Sequence, residues 1–344
     1  MRAATRHRSK PNGRAGTTQA QRPSGRRPTA EKRLVAGAVA AALVIYVAYE
    51  SIQIGDRSLL VLLNGLTAAG LYFLLASGFT LVFGLVRVTN LAHGGIYLIG
   101  GYISLTAQRT TGNWLVSATA GAVFAAALSI ALYAVLRRLR GDGLRETMFT
   151  LGAAIVIADQ VLARWGGVPS DLDPPSLFNG SVGLPGSDLL YPKFRLAVVG
   201  LAVVVGLSLW AVMHRTRFGT TIRASVDDRD MVSILGIRVE LVFAAAFAIA
   251  GGLAGIAGAA GGTYLSLAQG EDNRVLLASL IVVIAGGLGS IGGAAAAAVI
   301  VGLVEAFAQT HHPILSVLMT FGTLVAILAL RPHGLFGRRT DARS

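Results

Sequence analysis

The chain has 344 residues, 53% of them hydrophobic and only 14% charged, with 43 glycines and no cysteine. A soluble domain carries roughly a quarter charged residues, so this composition, with its mean hydropathy of +0.64, excludes a water-facing globule and describes a membrane protein. The net charge is +13, and the absence of cysteine excludes disulfides, thiolate metal sites and cysteine nucleophiles.

Ten basic residues fall within positions 1–33, among Pro, Gly, Ser and Thr and almost no large apolar side chain. Such a segment buries too little surface to offset its ordering entropy, and it reads as a disordered tail. A run of this kind also suits nucleic acid, but the apolar segment that follows favours a topology signal, because arginines resist translocation. Residues 34–54 read as an uncleaved first span, since no small-residue cleavage site follows them.

A bilayer core needs about 20 apolar residues per helix. On that measure further spans fall at 59–84, 90–108, 114–136, 147–164, 194–213, 241–265, 275–288, 292–310 and 313–330. The expected fold is therefore an all-α polytopic membrane protein of about ten transmembrane helices with both termini cytoplasmic. Residues 1–33 form a basic tail, 34–337 the transmembrane domain and 338–344 a second short tail. Under this topology 24 basic residues lie inside and six outside, the asymmetry that the positive-inside rule demands. The glycine-rich stretch Gly286 to Gly293 either breaks one helix or separates two short ones.

Two loops are long. The outer one, 166–193, carries Pro169, Pro174, Pro175, Pro185 and Pro192 and the pair Asn179-Gly180, which is favoured in tight hairpins. It reads equally as a solvated connection or a docking surface. In the inner one, 214–240, Arg223 to Leu235 is expected to form one amphipathic helix. Ala224, Met231, Ile234 and Leu235 make its apolar stripe, Asp227, Asp228, Arg229 and Asp230 stay wet, and Gly236 closes it with a left-handed cap. In the span 241–265, Gly251, Gly255, Gly258 and Gly262 share one face and predict a close helix crossing.

Enzymatic signatures are missing. There is no phosphate-binding glycine loop with its lysine, the three lysines being Lys10, Lys32 and Lys193, so nucleotide chemistry would belong to a partner. Ionisable groups inside spans are costly and become functional candidates: His93, Asp159 and Glu305. His93 sits in Thr89-Asn90-Leu91-Ala92-His93-Gly94-Gly95, a polar interruption such as lines a cavity. Asp159 reads as structural, snorkelling or pairing with Arg164. Glu305, mid-span, needs a hydrogen-bonding partner or a proton, in a packing network or a transport role.

The stretch GLYFLLASGFTLVFGLVRVTNLAHGGIY, Gly70 to Tyr97, resembles the membrane permease of bacterial branched-chain amino acid ABC importers, where a similar Asn-Phe-Ala-His-Gly segment follows the corresponding helix. Further agreement lies in Pro175 to Gly180, in the inner loop from Gly219 through Arg223, Ala224 and Asp228 to Leu235, Gly236 and Ile237, and in Arg331 to Gly337. The resemblance spans about 59–337. It implies a permease subunit of the bacterial cytoplasmic membrane, not itself an enzyme and with no cofactor of its own. ATP would be bound by two ABC ATPase subunits that grip the inner loop through Arg223, Ala224, Asp228, Leu235 and Gly236; Val232 departs from the small alanine common in relatives. A second permease, identical or homologous, and an extracytoplasmic solute-binding protein complete the implied assembly, with membrane lipid around it and no nucleic acid.

For the substrate path the candidates are Thr89, Asn90, His93, Gly94, Gly95 and Glu305. A zwitterion needs polar groups to replace water, and an aliphatic side chain needs an apolar wall. Relatives also import urea, short amides or other amino acids. Two rival classes stand beside this reading: an ion-coupled secondary transporter using His93, Asp159 and Glu305, and, less well supported, an intramembrane enzyme.

Overall fold

The computed structural model describes residues 57–86, 90–139, 142–184 and 189–337. The basic tail 1–33, the first span 34–54, Thr89 and the tail 338–344 lie outside the described residues. Within them the chain is almost wholly helical: α1 (Ser58–Val86), α2 (His93–Thr111), α3 (Trp114–Leu139), α4 (Gly143–Trp165), α5 (Lys193–Arg215), α6 (Arg217–Asp227), α7 (Arg229–Ile234), α8 (Val239–Tyr264), α9 (Glu271–Gly286), α10 (Ile291–His311) and α11 (Ser316–Leu330). A small antiparallel hairpin, β1 (Ser181–Gly183) and β2 (Leu190–Pro192), pairs Val182 with Tyr191 ahead of α5.

Seven segments among the described residues are long and apolar enough to cross a membrane: α1, α3, α4, α5, α8, α10 and α11 with the short turn before it. The structure is thus a polytopic all-α membrane protein. The predicted spans 90–108 and 275–288 correspond to α2 and α9, which do not meet the same measure. Protein rather than lipid surrounds much of both: α2 buries Ile96, Tyr97, Leu98 and Tyr102, and α9 buries Val275, Ile281, Val282 and Val283. Helices enclosed by neighbours need less apolarity than helices facing acyl chains. By contrast α4, α5 and α11 leave Ile155, Val156, Val203, Val204, Val317 and Val325 exposed, an apolar outer surface.

The centre of the bundle is α1, whose Leu71, Leu74, Leu75 and Ala76 are wholly buried. It packs against α5, α8, α9 and α10. A side chain at Gly65 would sit 2.9 Å from the Leu303 Cα, and one at Gly302 would sit 2.7 Å from the Ala69 nitrogen, so these glycines set the α1–α10 approach. The glycine face of α8 does what small residues do in membranes, admitting backbones closely, but it serves two neighbours. Gly255 meets Ala122 of α3 at 2.7 Å from its hypothetical Cβ, while Gly258 lies against Tyr97 and Gly101 of α2.

The stretch Gly286 to Gly293 separates two helices. Gly286 ends α9, Gly287 and Gly289 take positive φ of 99° and 81°, and Ser290 caps α10 by accepting from Gly293 N at 3.0 Å. The C-terminal motif explains why the break holds. Leu335 N donates to Ala285 O at 2.8 Å and Phe336 N to Gly286 O at 3.0 Å, satisfying carbonyls that a helix end leaves orphaned.

The outer loop is tied down rather than merely solvated. Ser170 and Leu267 exchange backbone hydrogen bonds of 2.9 and 2.8 Å, and Leu172 N donates to Gly262 O at 3.0 Å. Asn179-Gly180 does not form the hairpin turn. Asn179 is extended and Gly180, with φ 86°, precedes β1; its carbonyl accepts from Lys193 N at 3.0 Å.

Candidate functional site

The predicted path segment is folded into the interior. Asn90 Oδ1 accepts from Ala92 N at 3.2 Å where α2 begins. His93 is 1% exposed, its ring edge-on to Phe79 at 5.8 Å. Its Nε2 lies 3.2 Å from the Leu75 carbonyl oxygen. A carbonyl only accepts, so Nε2 carries a proton. At Gly94 a Cβ would stand 2.6 Å from the Asp272 carbonyl, and at Gly95 one would touch Ile157 at 3.3 Å. Asn90, His93, Gly94 and Gly95 are thus brought together among α1, α4, α8 and α9. Asp159 lies apart, exposed on α4, and Arg164 stacks over Trp165 at 5.8 Å.

Glu305 occupies a different place, a polar cavity of about 350 Å³ between α1, α5, α8, α9 and α10. Its Oε1 accepts from Gln309 Nε2 at 2.9 Å and from Arg274 Nη2 at 3.4 Å. Arg274 also reaches Glu271 at 3.3 Å. Across the cavity Arg195 donates through Nη1 to Asn64 Oδ1 at 2.7 Å and lies over the rings of Tyr264 at 5.2 Å and Tyr191 at 5.8 Å. The Thr67 and Tyr191 hydroxyls meet at 2.9 Å. Burial pushes the Tyr191 phenol above its ordinary range, so it enters that contact as a neutral hydroxyl.

Arg195 and Arg274 were legible only as outer-loop charges; the folded chain sets each in the first turn of a helix, facing the cavity. The available signal was Asn64, a polar residue within the apolar run 59–84, which needs a partner in a bundle core.

At the far end of α5 stands the inner element. Thr216 caps α6 by accepting from Gly219 N at 3.3 Å, and Arg223 donates to the Met213 carbonyl of α5. One amphipathic helix from Arg223 to Leu235 is not what forms. Asp228 adopts an extended conformation, φ −150° and ψ 98°, ends α6 and caps α7 by accepting from Met231 N at 2.9 Å. A short acid competes with the helix backbone for its own amides, and here the competition splits the segment in two. Gly236 follows with φ 79°, the predicted left-handed cap. Val232 is buried at 4% with Ile222, Phe243 and Phe247, facing the bundle. Met231, Ile234 and Leu235 are 55%, 80% and 70% exposed, and Ala224 on α6 is exposed as well. Arg229 pairs with Glu240 at the start of α8.

The comparisons with known proteins agree with one another. Residues 61–328 match the family model described as branched-chain amino acid transport system / permease component. The high-affinity branched-chain amino acid transport system permease protein BraD of Pseudomonas aeruginosa is 30% identical over 294 residues, covering 80% of this chain and 95% of the relative. LivH of Escherichia coli K12, a permease protein of the same description, is 28% identical over 295 residues, 80% of this chain and 94% of its own. A probable branched-chain amino acid transport permease protein of Methanocaldococcus jannaschii is 23% identical over 221 residues, 60% and 66% of the two chains. An apolar helical bundle matched over most of its length by transport permeases belongs to the permease component family of branched-chain amino acid transport systems, whose members are transport components and not enzymes.

Proposed function

We propose that the chain is a permease subunit of an ABC importer that moves branched-chain or related amino acids across the bacterial cytoplasmic membrane. ATP hydrolysis in two partner ATPases drives the movement through α6 and α7. A second permease, identical or homologous, completes the pore, and an extracytoplasmic binding protein delivers the solute. About ten spans with both termini inside is the topology that the basic-residue asymmetry supports, and it places 214–240 in the cytoplasm.

The observation that carries this reading is the construction of the inner element. It is capped at both helix starts, pinned to α5 through Arg223 and to α8 through Arg229 and Glu240, and yet shows Met231, Ile234 and Leu235 to solvent. A handle that transmits force must be both rigid and exposed, because coupling travels only through contiguous contacts. Arg223, Ala224, Asp228, Leu235 and Gly236 are its proposed coupling residues. Thr89, Asn90, His93, Gly94, Gly95 and Glu305 are the proposed path residues, the packed segment at α2 serving as a hinge-free wall and Glu305 as a polar group within reach of solute.

Replacing Gly236 by Val places a β-branched residue at φ 79°, and Asp228→Arg removes the α7 cap, a loss of about 1 kcal/mol. Both variants are expected to insert normally, to lose most ATPase co-purification and to cut leucine uptake several-fold in vesicles. Unchanged co-purification and uptake contradict the assignment. Uptake that persists with ATPases unable to hydrolyse ATP favours an ion-coupled carrier instead.

A further inference from the structure

Resting on the importer reading, we propose that the cavity between Arg195, Arg274 and Glu305 is a recognition site for a zwitterionic amino acid, with the carboxylate on the guanidiniums and the ammonium on Glu305.

The volume, about 350 Å³, is at the small end of the range for ligand sites, roughly 300–1,000 Å³, a size for one small solute. Its lining holds two guanidiniums and a single carboxylate, set against the apolar side chains of Ala68, Leu71 and Leu265. That is the composition that an aliphatic amino acid needs: a cation, an anion and a hydrocarbon wall within one space.

The charged groups are paired, but at long range: Arg274 stands 3.3 Å from both Glu271 oxygens and 3.4 Å from Glu305 Oε1, against about 2.7–2.9 Å for a tight guanidinium–carboxylate pair. The hydrogen bonds from Arg274 and Gln309 both fall on Oε1 of Glu305, and the Tyr72 hydroxyl bonds the same carboxylate. Arg195 spends Nη1 on Asn64, while a guanidinium offers five N–H donors in a fixed plane. The rings of Tyr191 and Tyr264 on which it lies hold that plane, as a site for bidentate carboxylate recognition requires.

The placement also connects the site to the handle. Arg195 is in the first turn of α5 and α6 follows the last turn, about 30 Å away at 1.5 Å per residue. Tyr264 ends α8, which begins just after α7. A push on α6 and α7 is therefore delivered to the helices that carry Arg195 and Tyr264, against Glu305 on α10. Solute bound across that gap would be released as it changes.

The test uses the full complex in proteoliposomes, with binding protein saturated with L-leucine outside and ATP on the ATPase side. Arg195→Gln is expected to lower leucine flux about tenfold, the worth of a charged hydrogen bond, with ATP hydrolysis stimulated by binding protein as in the wild type. Arg195→Lys, which keeps the charge, is expected to recover part of the flux. If Arg195→Gln does not assemble, Ala306→Leu narrows the same cavity without touching a charge and is expected to lower flux likewise. Wild-type leucine flux in Arg195→Gln, or in Ala306→Leu where that variant stands in, overturns the zwitterion site and leaves the importer reading intact. No ATP-dependent leucine flux in the unmodified complex overturns the importer reading, and the site with it.

Discussion

Single glycines decide how near the helices come. At Gly258 an added Cβ would run into the Tyr97 carbonyl, and at Gly251 into Ser129 and Ala125 of α3. Neither backbone can retreat without moving a helix. Gly258→Val is therefore expected to destabilise by about 1–3 kcal/mol, the cost of overpacking a filled core, read as a lower midpoint for thermal unfolding of the purified protein; an unchanged midpoint contradicts the close crossing. This glycine face could be read from spacing alone, because four, three and four are helical steps. Its division between α2 and α3 could not, because nothing local says which neighbour lies above each residue. The same holds at the cavity. Glu305 stood out as a carboxylate within an apolar run, but Arg195 and Arg274 lie beside loops in the sequence, and it is the contacts of Arg195 with Asn64, 131 positions apart, and of Arg274 with Glu305 that show them facing inward.

Among elements, the inner segment shows how a local competition alters a correct outline. Its apolar stripe, its wet acids and its terminal Gly236 were legible. The break at Asp228 was not, because an Asp inside an amphipathic pattern serves equally as a surface residue or as a cap, and the choice depends on the packing of Val232 against Phe243 and Phe247. The division has a mechanical consequence: α7 is short, capped and turned so that Met231, Ile234 and Leu235 all project outward. Changing these three to serine is expected to leave the midpoint of unfolding nearly unchanged, since exposed side chains contribute little to folding, while abolishing ATPase co-purification. Retained co-purification contradicts a docking role. The C-terminal motif Arg331 to Gly337 likewise has a structural use that similarity alone does not supply, closing the end of α9 with Gly334 at φ 79°.

Across the whole molecule, the proposed solute cavity and the proposed handle are separated by the length of α5. Hydropathy predicted the spans from 59 onward, and α1 to α5 and α8 to α11 fall where those spans were placed, while α6 and α7 lie in the loop 214–240; the charge asymmetry gives the expected sidedness. The shortfall of α2 in apolarity accords with its burial by protein, which a hydropathy window does not register, whereas α9 is simply short, at 16 residues. The proposed mechanism requires above all that α6 and α7 form a cytoplasmic handle gripped by separate ATPases. The chain has no cysteine, so a single cysteine at Ile234 reports cleanly with a membrane-impermeant maleimide. No labelling is expected in intact cells, full labelling in inside-out vesicles stripped of ATPase, and protection when the ATPase subunits are restored. Labelling from outside intact cells, or labelling that the ATPases do not reduce, would contradict it.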